Sequence, residues 1–292
     1  MTEPVTAAPP IDKPIEEYAE PALGTGLLLA LTLAWLAVCL LGTRFAFPTA
    51  VAASLLAGSA AGLTTISVLA ERGWLLRPPV RFGFAALAGA AIGVLALIAI
   101  LIAHGTDTVA VVFAVTVGVA GVLGGTLGAA PPRPIATAGL TATLGAFVAS
   151  FAVYSFREPL IAVFGYGTSD ASRYAAAGWF AATEAVLSAV VAGLLAFWAL
   201  RRIGRLTGAT PRWPAYLLAG ATPGLLLVLG EAITRIGGAS LFNHPVSAFD
   251  RTVLSISGSS RVNHALVVLF LGAIVATVAF GRTLPRRAED SD

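Results

Sequence analysis

Lysine is almost missing from these 292 residues: Lys13 stands alone against seventeen arginines. It falls in a polar, proline-broken stretch. No lysine is therefore placed to hold a nucleotide phosphate in a Walker A loop, or to form a Schiff base with retinal or pyridoxal phosphate. Cys39 is the only cysteine, so no intrachain disulfide is possible. Histidine is nearly as scarce. His104, His244 and His264 form no HExxH pattern, and no CxxC occurs, so the clustered ligands of zinc and haem sites are missing. Aspartates do not come in closely spaced pairs before Asp290 and Asp292, which disfavours two-metal chemistry. The sequence thus gives no reason to expect a metal or a cofactor.

Charge is scarce as well. Only 11% of the residues are Asp, Glu, Lys or Arg, while 57% are hydrophobic and the mean hydropathy is +0.87. Those values lie outside the range of soluble domains and place the chain in a bilayer. The excess of arginine over lysine is common in proteins from GC-rich genomes, and loop orientation accounts for the basic pI. No nucleic-acid partner is implied.

What is abundant is apolar sequence in long runs. Crossing the hydrocarbon takes about 20 residues of helix, and eight stretches free or nearly free of charge have that length. They are Ala22 to Leu41, Pro48 to Ala70, Phe82 to Ala103, Val109 to Ala130, Ile135 to Phe156, Tyr174 to Leu200, Pro214 to Ile236 and His264 to Phe280. Breakers mark the joints, among them Gly42, Pro78-Pro79, Gly105, Pro131-Pro132 and Gly237-Gly238. The runs do not alternate polar with apolar residues, as barrel strands would. The predicted fold is an all-α polytopic membrane protein with eight transmembrane helices.

Arginine sets the expected orientation. With the N-terminus inside, the inner segments hold Lys13, Arg72, Arg77, Arg81, Arg133, Arg201, Arg202, Arg205, Arg212, Arg282, Arg286 and Arg287. The outer segments hold only Arg44, Arg157, Arg173, Arg251 and Arg261. The positive-inside rule then puts both termini in the cytoplasm, in the cytoplasmic membrane of a bacterium. Residues 1–21 carry five acids and five prolines and read as a disordered cytoplasmic tail, with a second tail at 281–292.

The chain also resembles itself. At an offset of 131, residues 61–95 align without a gap on 192–226, with thirteen of 35 positions identical. The matches include Ala61-Gly62-Leu63 with Ala192-Gly193-Leu194, Arg81 with Arg212, and Leu87-Ala88-Gly89-Ala90 with Leu218-Ala219-Gly220-Ala221. They join spans two and three to spans six and seven, an even number of crossings apart. This predicts a parallel four-plus-four repeat, with one membrane unit at 22–130 and the other at 135–280. Spacings such as Gly58xxxGly62, Gly89xxxGly93, Gly121xxxGly125 and Gly220xxxGly224 let helices approach closely, within the chain or toward a protein partner or second copy.

The second unit differs from the first in its two long outer loops, 157–173 and 237–263. In the later loop, Asn243 and Pro245 mark a helix start and Gly258 a stop, with Val246, Phe249, Val253 and Ile256 on one apolar face. This reads as a separate amphipathic helix, interfacial or re-entrant. In the earlier loop, residues 159–164 read as a shorter turn of interfacial helix.

Ionisable residues inside spans need a partner or a water path. Three qualify: Glu184, Glu231 and Arg235. Glu184 falls roughly 15 Å below the outer end of its span, about mid-bilayer. It is either a proton- or cation-coupling carboxyl, or a neutral one hydrogen-bonded across helices or to Ser188. Glu231 and Arg235 have the i, i+4 spacing of a helical ion pair. Arg157, His244, Asp250, Arg251 and His264, with Arg261 among the neighbouring charges, are candidates for an outer vestibule above Glu231. Ser260 and His264 invite a hydrolase reading, but no GxSxG frames the serine. Three functions follow as expectations. The first is a permease for a small solute or lipid; the second, a non-catalytic subunit or scaffold binding a partner through its outer loops; the third, an enzyme acting on a lipid-linked substrate.

Overall fold

A computed structural model describes residues 22–42, 47–74, 77–130, 132–165, 167, 169–208, 210–239 and 248–283, with no account of the side chains of 22, 23, 170 and 248–258. Among these residues all regular structure is helical: α1 (Ala22–Leu41), α2 (Phe47–Glu71), α3 (Pro78–His104), α4 (Thr108–Gly128), α5 (Arg133–Ser155), α6 (Arg157–Val163), α7 (Asp170–Thr207), α8 (Trp213–Gly238) and α9 (Ala248–Gly281). All but α6 are long and apolar enough to cross a membrane, giving eight candidate spans and the architecture of a polytopic membrane protein.

Local chemistry sets the helix ends. Pro78, Pro134 and Pro214 occupy first-turn positions, where a missing N–H removes nothing the helix would use. Asp107 caps α4 by accepting a hydrogen bond from the Ala110 amide at 3.0 Å. Ser169 caps α7 through the Ser172 amide, and Gly208, with φ 71°, closes it in the left-handed conformation.

Helix α2 is the axis of the packing. From Ala50 to Leu63 every residue is buried, and ten of the fourteen are alanine, glycine or serine. Such small side chains draw α1, α3 and α4 inward, and α2 also touches α5 and α8. Gly58 and Gly62 meet the backbone of Gly121 and Gly125 on α4. Gly89 on α3 packs on the same two glycines, and Gly93 on Gly118. In the other bundle, Gly193 on α7 and Gly220 on α8 both pack against Gly272 on α9. Backbones in contact replace side-chain interdigitation at these crossings, as small-xxx-small spacing allows. The two bundles, α1–α4 and α5 with α7–α9, join where α2 and α4 pack on α8 and α2 packs on α5.

Two expected boundaries are corrected. The predicted eighth span and the predicted amphipathic outer helix are one continuous helix, α9, which passes through Gly258 without a stop. An interior glycine costs a helix about 1 kcal/mol, less than the hydrogen bonds lost by breaking it there, and no proline follows to force the end. Asn243, Pro245 and Val246 lie outside the described residues. The sixth span likewise extends beyond its apolar run, from Tyr174–Leu200 to Asp170–Thr207; arginines beyond the hydrocarbon end an apolar run without ending a helix. The short loop helix expected at 159–164 is α6.

Candidate functional site

The helices leave a large opening among the described residues. A cleft of about 1540 Å³ enters at the α6 end, between α1, α2 and α6 on one side and α5, α7, α8 and α9 on the others. Its polar wall carries Glu184 and Ser188 of α7, Glu231 of α8, and Ser260, Arg261 and His264 of α9. Arg157 and Glu158 of α6 stand at the entrance.

Glu184 lies fourteen residues into α7, about 20 Å along its axis at 1.5 Å per residue. Its Oε1 accepts a hydrogen bond from Ser150 Oγ on α5. The sequence allowed a hydrogen bond across helices or to Ser188 one turn on; the bond from Ser150 runs across helices, and the Ser188 hydroxyl is not used by Glu184. That hydroxyl is only 1% exposed, borders the cleft and has no hydrogen-bond partner among the described residues. His264 borders the cleft beside these groups, so α5, α7 and α9 converge on one polar floor.

Nearer the entrance, Glu231 is 5% exposed and accepts from two arginines. Arg235 Nε lies 2.9 Å from Oε1, one turn along α8. Arg261 Nε lies 2.8 Å from Oε2, with Nη2 3.4 Å from Oε1. Arg235 and Arg261 are 56% and 42% exposed. One buried carboxylate thus holds two guanidinium groups in place and balances one of them. Buried carboxylates need such partners, since removing an ion from water costs several kcal/mol before pairing.

Around the Ser150 that binds Glu184 the cleft wall is aromatic. Trp35 of α1 stacks on Phe147 with ring centroids 6.2 Å apart and meets Phe151 edge-on at 5.8 Å. These two phenylalanines flank Ser150 on α5, and all three rings border the cleft. Arg157 lies over the ring of Tyr154 at 5.8 Å, a cation–π contact that holds the charge at the rim.

No protein-family model, curated protein or solved structure matches the chain. The site is therefore read from its own chemistry.

Of the candidates named from sequence, Glu184, Glu231, Arg157 and His264 border this one cleft, and Arg235 is held beside it by Glu231. His244 lies outside the described residues. Asp250 and Arg251 are on the first turns of α9, with side chains not described. Arg261 was one of several charges near the entrance, and only the fold singles it out as the second ligand of Glu231. Ser150 and the aromatic trio were missed. One signal was available: of five tryptophans, Trp35 alone sits well inside its apolar run.

Proposed function

We propose that this multi-pass membrane protein is a permease for a small solute or lipid, and that the cleft above Glu184 is its ligand site, open to the outer face with both termini in the cytoplasm. The observation that carries the reading is the cleft itself. A scaffold whose Glu184 is only structural glue calls for a buried, fully paired carboxyl without a cavity. Glu184 instead borders a large opening beside Ser188, whose hydroxyl has no partner among the described residues. Ligand pockets have this character: mostly apolar walls with a few convergent polar groups.

The duplication belongs to the same proposal. Gly62 and Gly89 converge on Gly125, as Gly193 and Gly220 converge on Gly272, and the 131-residue offset pairs Gly62 with Gly193 and Gly89 with Gly220. Extending that offset sets Glu184, Ser188, Leu227 and Glu231 against Ala53, Ala57, Ala96 and Ile100. The latter four are sealed in the core of the first bundle. Two similar units, one with these positions sealed and one with them opened and made polar, fit a protein whose polar ligand contacts come from the second bundle while α1 and α2 of the first close the cleft.

The enzyme reading has less support. Ser260 and His264 share the cleft but make no hydrogen bond to each other among the described residues, and Glu231, occupied by two arginines, is not free to act as a base. A cryo-EM map of the protein in lipid nanodiscs tests the proposal. Ordered non-protein density, or resolved water, between Glu184 and Arg261 is expected. A cleft collapsed around Glu184, or filled by a second protein, would favour the scaffold.

A further inference from the structure

The charges of the cleft are sorted along its length. At the entrance Arg157 and Glu158 are chain neighbours of opposite sign. Deeper in, Glu231 balances one of its two arginines, leaving one guanidinium charge in surplus. Arg261 spends its Nε and part of Nη2 on Glu231, and its Nη1 donors have no partner among the described residues. Farther in comes the carboxyl group of Glu184, which accepts from the neutral hydroxyl of Ser150.

Arg261 on α9 and Glu184 on α7 border the same cleft. His264, which also borders it, is three residues beyond Arg261, or about 4.5 Å along α9. The wall beside Glu184 is aromatic, because Phe147 and Phe151 bracket the very serine that binds it and Trp35 covers both. A carboxylate beside ring faces favours an organic ammonium group, and a guanidinium with free donors favours a carboxylate or phosphate.

We propose that the cleft binds a compact zwitterion, with its anionic group on Arg261 and its ammonium group at Glu184 against the rings of Trp35, Phe147 and Phe151. This rests on the reading of the cleft as a ligand site. The chemistry is shared by free solutes of the betaine or amino-acid type and by the headgroup of a zwitterionic phospholipid. A ligand of a single charge would leave one of the two positions unanswered, which is how a site rejects an analogue lacking one polar group.

The test is calorimetric titration of the purified full-length protein with glycine betaine, phosphocholine and phosphoethanolamine, and with choline and inorganic phosphate as singly charged controls. Native mass spectrometry of the protein released from nanodiscs of phosphatidylcholine or phosphatidylglycerol forms the second arm. At least one free zwitterion is expected to bind about tenfold more tightly than either control; alternatively, phosphatidylcholine is retained in preference to phosphatidylglycerol, which assigns the ligand to the lipid. Glu184→Gln keeps the shape and can still accept from Ser150, so it should fold and should lose the preference. Retention of the preference in Glu184→Gln, a control that binds as well as any zwitterion, preferred retention of phosphatidylglycerol, or no binding of any of these would overturn the proposal. Nanodisc density from a singly charged ligand would end the zwitterion and leave the permease, whereas a collapsed cleft would end both.

Discussion

Arg261 reaches from α9 to Glu231 on α8, its Nε 2.8 Å from Oε2, and ties together two helices that pack along most of their length. The second arginine, Arg235, belongs to α8 itself and is more exposed. The two contacts should therefore differ in weight. Glu231→Ala releases two half-exposed guanidinium groups and empties a buried position, and should destabilise the fold by about 1–3 kcal/mol. Arg235→Ala leaves Glu231 with Arg261 and should cost no more than about 1 kcal/mol. Denaturation of the purified variants in detergent checks this; equal losses for the two would mean that Arg261 contributes nothing.

Backbone contact between α2 and α4 makes a second prediction. A Cβ at Gly58 would run into the carbonyl of Gly121, while one at Gly178 on α7 would meet open space. Gly58→Ala should destabilise by about 1–3 kcal/mol through overpacking. Gly178→Ala should be neutral or stabilise by up to about 1 kcal/mol, the helix-propensity difference. Thermal melts of the two variants decide it, and a tolerated Gly58→Ala would contradict the close approach of α2 and α4.

The spans were legible because hydropathy acts locally: a run of about 20 apolar residues has few other places to go. Glu184, Glu231 and Arg235 were legible for the same reason, since charge stands out in an apolar run. Convergence was harder to read. Ser150 has the look of any small polar residue in α5, and Phe147 and Phe151 that of lipid-facing or core residues, until the fold sets them across from Glu184 and Trp35. Arg261 lay beyond the apolar run used to define the last span, so its reach to Glu231 depended on α9 continuing through Gly258. Helix ends were misjudged wherever a helix outlasted its apolar stretch, because hydrogen bonding continues past the point where the membrane stops selecting for hydrophobicity.

The contrast between Glu184 and Ala53 separates a functional carboxyl from a structural one. Ala53 is fully buried in α2, so Ala53→Glu would force a carboxyl into a packed helix crossing. That should cost several kcal/mol and remove the protein from the membrane fraction. Glu184→Ala removes a side chain from a cleft wall and should change stability by less than about 1 kcal/mol. Membrane expression levels and melting of the two variants provide the check; a Glu184→Ala variant that fails to fold would make that carboxyl part of the scaffold.

Accessibility of position 184 from the two sides of the membrane tests the permease most directly. Cys39 is the only cysteine and is buried, so Cys39→Ala supplies a silent background for Glu184→Cys. A membrane-impermeant maleimide is applied to intact cells and to inverted vesicles. A permease that alternates its opening predicts labelling from both sides, fast from outside through the cleft and slower from inside. Protection from both sides would contradict a water-filled site at Glu184, and labelling from outside alone would leave a binding pocket that does not transport.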